Sequence, residues 1–204
     1  VPRISAATVA DHRASQHAAL LEAAMEILVA EGPAGLTPAA VGARVGLARS
    51  SVYRYFSSTA DILAQLTEDS MPRWTARLEA AAGGGGDLEA RVRAYAAVTL
   101  SFVTSRDYAL LRALVAVELP PACRGRIDEM HAAMIEPLRG ILAEAGHEHP
   151  GLVAHLGWSI LGEGQRQIAA GADPGLVVPV TTDVLCRAVL TAPLRPGGAV
   201  LTSP

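Results

Sequence analysis

Residues 37–63 read Thr-Pro-Ala-Ala-Val-Gly-Ala-Arg-Val-Gly-Leu-Ala-Arg-Ser-Ser-Val-Tyr-Arg-Tyr-Phe-Ser-Ser-Thr-Ala-Asp-Ile-Leu. The Thr37 hydroxyl is placed to cap the first turn of a helix, and Pro38 follows where a missing N–H costs nothing. Leu36 and Val41 are spaced as a hydrophobic staple. Val41 and Val45 repeat at i, i+4 and should face inward. Gly46 stands where the chain must leave that helix with positive φ. A second short helix is expected over about 48–56, with Val52 and Phe56 inward. Arg49, Ser50, Ser51, Tyr53, Arg54 and Tyr55 occupy its other faces. A short helix rich in Arg, Ser and Tyr, backed by a first helix across a glycine turn, has the form of a helix-turn-helix recognition helix.

Charge distribution supports a nucleic-acid partner although the net charge is −3. Between Gly32 and Ala60 stand Arg44, Arg49 and Arg54 and no acidic residue. Phosphate binding needs positive charge at the contact surface rather than over the whole chain. All basic residues are Arg, and Ala and Gly are abundant, which a GC-rich coding sequence explains better than function does.

At these residues the chain resembles the TetR family of bacterial transcriptional regulators. The resemblance runs through Leu20, Leu21, Ala24, Ile27, Leu28 and Gly32. It continues with Thr37, Val41, Arg44, Gly46, Leu47, Val52, Tyr53, Tyr55 and Phe56, then Ser58, Asp61, Ile62 and Leu63. It covers about a quarter of the chain. Three positions depart from the family pattern: Ala48 replaces a capping Ser, Ser50 replaces a smaller residue, and Thr59 replaces a Lys that meets phosphate. The resemblance implies phosphate contacts from Thr37 and Tyr53, with Thr59 weaker. Arg44 belongs to the same candidate surface, and Arg49, Ser50, Ser51, Arg54 and Tyr55 would face base edges or flanking backbone.

The rest of the chain reads as helical, so the fold class is all-α with about nine helices. A helix-turn-helix domain over 1–58 would join a larger effector-binding and dimerisation domain over 59–192, followed by a disordered tail over 193–204. Residues 1–12 read as a loose arm; Arg3 within it and Arg13 just after it could reach phosphates. Helices are expected over about 12–31, from 59 onward with an interruption at Pro72, and over 87–105, 107–118, 121–145, 151–171 and 173–192. Pro137 and Pro179 should disturb the two that contain them. Gly83 to Gly86 is the clearest connector; as a phosphate loop it lacks the following Lys and Ser or Thr.

The body holds no catalytic constellation. Trp74, Phe102, Tyr108, Leu111, Leu114, Val115, Met130, Met134, Leu138 and Trp158 are candidate pocket lining, with packed core as the competing reading. Arg112, His131, Glu163 and Gln165 are the candidate polar groups. By the same resemblance, a homodimer would form through the last two helices. Leu156, Ile160, Ile168, Val184 and Leu185 would supply apolar area, and Gly157, Gly162 and Gly164 close approach. Cys123 and Cys186 match no metal or redox spacing. Residues His147-Glu148-His149 are the best feature for a metal enzyme, but they lie in a loop and lack the i, i+4 spacing of a zinc pair.

No apolar run reaches the ~18 residues of a membrane span, and no basic-then-apolar segment opens the chain. The expectation is a cytoplasmic, non-catalytic homodimer without cofactor or membrane partner. It would bind a double-stranded DNA operator and be released by a small apolar or amphipathic effector. Effector-independent or protein-switched DNA binding is the alternative.

Overall fold

A computed structural model describes residues 6–116 and 121–191, the side chains of 6–9, 115, 121–124 and 126 excepted. The expected tail, Arg3 and the side chains of Val115 and Cys123 lie outside the described residues. Within them the chain forms α1 (Ala6–Glu31), α2 (Pro38–Arg44), α3 (Arg49–Val52), α4 (Thr59–Ala82), α5 (Leu88–Ser101), α6 (Tyr108–Ala116), α7 (Pro121–Glu144), α8 (Pro150–Ala169) and α9 (Pro174–Leu190), with no strand among the described residues. The chain divides into two compact units, Val1–Pro72 with Thr104–Asp128, and Arg73–Val103 with Glu129–Pro204.

In the first unit, α1 begins at Ala6 rather than near His12. No Gly or Pro interrupts residues 6–31, and the alanines there favour helix. Its core gathers Leu20, Ala24, Ile27 and Leu28 from α1, Val41 from α2, Val52 and Phe56, and Ile62, Leu63 and Leu66 from α4. Leu110 and Ala113 of α6 complete it. Full burial of a side chain such as Phe56 contributes roughly 1.5–3 kcal/mol.

The start of α4 is held by a reciprocal cap. Ser58 Oγ accepts from the Asp61 N–H at 3.1 Å, and Asp61 Oδ2 accepts from the Ser57 N–H at 2.7 Å. The helix then continues through Pro72 without ending, and α7 and α9 likewise run through Pro137 and Pro179. Each proline removes a backbone hydrogen bond. Buried residues on both sides, such as Ser70 and Trp74 about Pro72, offset that loss by packing.

The second unit is built on α5, α8 and α9 with parts of α4 and α7. Tyr95 Oη donates to the Met134 carbonyl at 2.9 Å inside it, and burial pushes the phenol pKa up. The helix-8 glycines serve this interior. A Cβ on Gly157 would stand 2.8 Å from Leu185 Cδ1, and one on Gly164 2.7 Å from Thr181 Oγ1. The expectation that Gly157 and Gly164 admit a partner is therefore corrected: the close approach is to α9 of the same chain. Leu185 is fully buried there for the same reason.

The end of α7 carries a buried histidine. Gly146 takes φ +82°, its N–H reaching the Ala143 carbonyl, while the His147 N–H reaches Leu142 O at 3.0 Å. This is a Schellman cap, whose geometry folds the residue after the glycine back onto the helix. His147 is thereby 1% exposed, and neither ring nitrogen has a hydrogen-bond partner. Burial pushes its pKa below the ordinary 6.5. The unfolded chain therefore takes up a proton near pH 6.5 that the folded chain resists, so stability falls as the pH drops below that value. His147→Leu should raise the melting temperature at pH 5.5 more than at pH 8. The buried polar deficit it removes is about 1–3 kcal/mol. Parallel pH profiles of variant and wild type would refute this.

Candidate DNA interface

The helix-turn-helix is assembled from short-range bonds. Thr37 Oγ1 accepts from the Ala40 N–H at 3.1 Å, which leaves its proton free to donate outward. Leu36 and Val41 are buried in one cluster, as the staple requires. Gly46 turns the chain at φ +72°. Ala48 occupies the N-cap of α3 without a side-chain bond, and α3 is only four residues long. Turns extend it: the Tyr53 N–H reaches Arg49 O at 3.2 Å and the Phe56 N–H reaches Val52 O at 3.0 Å. Shortening from the expected 48–56 follows from the missing cap and from two serines, which compete with helical backbone bonding.

The candidate contact residues separate into two groups. Thr37, Arg49, Ser50, Tyr53 and Arg54 are exposed. Arg49 Nη2 donates to Tyr53 Oη at 3.0 Å, and its guanidinium lies 5.5 Å from the ring centroid. The pair forms one outward, preorganised face, with Tyr53 45% exposed and its hydroxyl proton available to an anion.

The second group is engaged within the unit. Tyr55 is half-buried, donates to Gln16 Oε1 at 2.8 Å and stacks on His17. Thr59 Oγ1 donates to the Leu36 carbonyl at 3.2 Å. Ser51 is half-buried. Arg44 is exposed but pairs with Glu26 at 3.4 Å and Glu31 at 3.0 Å, both on α1. The low-acid window between residues 32 and 60 thus has acidic neighbours from outside it.

Sequence reasoning missed two residues that hold this face in place. Gln65 Nε2 donates to the Tyr55 carbonyl at 3.3 Å and to Asp61 Oδ1 at 3.0 Å, while its Oε1 lies 2.6 Å from His17 Nε2. Gly42 lets α2 and α3 touch: a Cβ there would stand 2.5 Å from Val52 Cγ2 and 2.9 Å from Leu47 O. Only the Asp61 partner of Gln65 is local, on α4 itself; His17 comes from α1 and Tyr55 from the α3 turn, which no local pattern signals.

Residues 20–66 match the model of bacterial regulatory proteins of the tetR family. Over this segment the chain is similar to the TetR family. No curated protein matches its sequence. Its fold is similar to that of the regulator FadR from Bacillus subtilis solved with stearoyl-CoA, at 19% identity and TM-score 0.69, covering 85% of this chain and 97% of that one. The fatty acid degradation regulator FadR from Bacillus halodurans has 16% identity and TM-score 0.68, covering 83% and 94%. SmeT in its triclosan complex has 18% identity and TM-score 0.64, covering 89% and 97%. At these identities the likeness is one of fold.

The candidate pocket residues are divided between the units. Tyr108, Leu111 and Arg112 belong to the first, where Arg112 is exposed. In the second, Trp74 and Phe102 are buried and meet edge-to-face at 4.7 Å, and Arg77 lies 4.2 Å over Trp74. Met134 and Leu138 are buried and Met130 is half-buried. Exposed His131 meets half-buried Trp158 edge-to-face at 5.9 Å. Gln165 Nε2 donates to the Thr99 carbonyl at 2.7 Å. Glu163 is exposed, and Gln167 and Arg166 hold its carboxylate below the usual range.

On α8 and α9 the candidate dimer residues Leu156 and Val184 are exposed, and Ile160 and Ile168 are half-buried. Leu152, Leu176 and Val180, absent from the sequence reading, extend the exposed apolar surface, with Leu176 65% exposed. The spacing 176, 180, 184 was readable as an i, i+4 stripe. Among the described residues no group of three or more His, Cys, Asp or Glu is placed to hold a metal. No described helix is long and apolar enough to cross a membrane.

Proposed function

We propose that this protein is a cytoplasmic homodimeric repressor of the TetR family. It would grip a palindromic operator through Thr37, Arg49, Ser50, Tyr53 and Arg54 and release it on binding a small apolar or amphipathic effector. The observation that carries the proposal is the exposed Arg49–Tyr53 pair on a glycine-linked helix-turn-helix. Residues 1–58 would read DNA, and 59–192 would supply effector binding and dimerisation. Each recognition segment would enter a major groove, with half-sites about one helical turn apart. The exposed apolar stripes of α8 and α9 would form an isologous interface.

The effector reading is supported by the stearoyl-CoA and triclosan held by similar structures, and by buried aromatic residues such as Trp74 and Phe102 in the second unit. A ligand releases DNA only if it binds the two states unequally.

The test is selection of duplexes from a random-sequence pool, followed by titration of the enriched duplex. Arg49→Ala should weaken binding by about 1–3 kcal/mol and relax preference at one position, because Arg reads guanine through two hydrogen bonds. Unchanged affinity and preference in that variant would remove the proposed reading face. Stearoyl-CoA and triclosan, added to the same titration, test release.

A further inference from the structure

An open groove of about 420 Å³ lies on the first unit, lined by Ala10, Arg13, Ala14, His17, Arg54 and Tyr55. None of the six is acidic. Arg44 and Arg106 in the same unit are matched by glutamates, whereas no ion pair engages Arg13 or Arg54 among the described residues. The aromatic wall is fixed: Tyr55 is bonded to Gln16 and stacked on His17 at 6.1 Å. Arg13 sits against that wall, its guanidinium 5.9 Å from the Tyr55 centroid. Ala10 and Ala14 keep the groove open, because larger side chains at these α1 positions would fill it.

We propose that this groove seats backbone phosphate of the bound duplex beside the recognition segment, held between Arg13 of α1 and Arg54. Two planar guanidinium groups without carboxylate partners suit the oxygens of a phosphodiester. The groove is roomier than one phosphate requires and is open, a shape for a strand passing through rather than for an enclosed small molecule. Arg54 directly follows Tyr53, so the seat continues the outward face instead of forming a separate patch. α1 thereby becomes part of the DNA surface, adding affinity without base preference. The proposal rests on the DNA-reading face of the preceding subsection.

The experiment uses the full chain and the duplex enriched by selection, titrated over a range of salt. Arg13→Gln should weaken binding about tenfold at ~0.1 M salt and lower the salt slope by about one per subunit, uniformly across sequences. Arg13→Lys should restore most of the slope. Trimming the duplex at its flanks should bring the wild type down to the variant's affinity while changing the variant little. Wild-type affinity and slope in Arg13→Gln would overturn the proposal, as would equal losses for wild type and variant on trimming. Binding of inorganic phosphate that depends on Arg13, with DNA affinity unaffected by the substitution, would mark a free-phosphate site and overturn it too. Failure of the underlying reading looks different: the wild type itself would then enrich no duplex.

Discussion

Gly42→Ala is expected to lower the melting temperature and weaken DNA binding, although alanine is the better helix former. The added Cβ would stand 2.5 Å from Val52 Cγ2 and 2.9 Å from the Leu47 carbonyl oxygen. The second contact is backbone, so no rotamer change relieves it. The Leu47 N–H bonds to the Gly42 carbonyl at 2.8 Å, so the turn between α2 and α3 is anchored at the same residue. Overpacking of this kind costs about 1–3 kcal/mol, more than the ~1 kcal/mol gained in helix propensity over glycine. Gly42→Val should cost more and abolish operator binding, because the α2–α3 angle sets where Arg49 and Tyr53 point. Gly140→Ala is the control: nothing lies within 4 Å of a Cβ there, so the same change should stabilise by about 0.5–1 kcal/mol. Thermal unfolding of the two variants checks the opposite signs. An equally stable Gly42→Ala protein would show that the α2–α3 contact is not limiting.

The second large effect belongs to α9. Leu176→Asp combined with Val180→Asp should convert a dimer to a monomer and weaken operator binding by about 10²–10⁴-fold, the range lost when two linked contacts become independent. Both side chains are more than half exposed within the chain, so their replacement leaves the subunit core intact. In a two-fold interface each substitution enters twice, placing four carboxylates where apolar surface was to be buried. Sedimentation measures the assembly and titration the affinity. A variant that remains dimeric with wild-type affinity would move the interface away from this stripe.

The fold of the N-terminal unit was legible because its determinants are local. The Thr37 cap, Pro38, the Leu36–Val41 staple and the Gly46 turn each act within a few residues, and each is found as the sequence implies. The exposed Arg49–Tyr53 pair was legible for the same reason, being an i, i+4 neighbour pair on one helical face.

Direction was less legible where partners lie far along the chain. Arg44 is matched by Glu26 and Glu31, and Tyr55 turns toward Gln16 and His17, contacts separated by up to 39 residues. The helix-8 glycines illustrate the same limit. Gly157 and Gly164 signal close approach in either reading, and only the position of α9 assigns it to the chain's own Leu185 and Thr181. His147 looked like one member of a His-Glu-His triplet. The Schellman geometry at Gly146 buries it alone, while Glu148 and His149 stay exposed.

By itself, then, the sequence determined the all-α class, the helix-turn-helix and its outward Arg–Tyr face, because caps, turns and helical periodicity are short-range. Tertiary structure alone decided which arginines keep their charge for an external anion, which glycines are filled by neighbours, and which apolar residues remain exposed. Those outcomes depend on what packs against each side chain, and the packing partners come from distant segments.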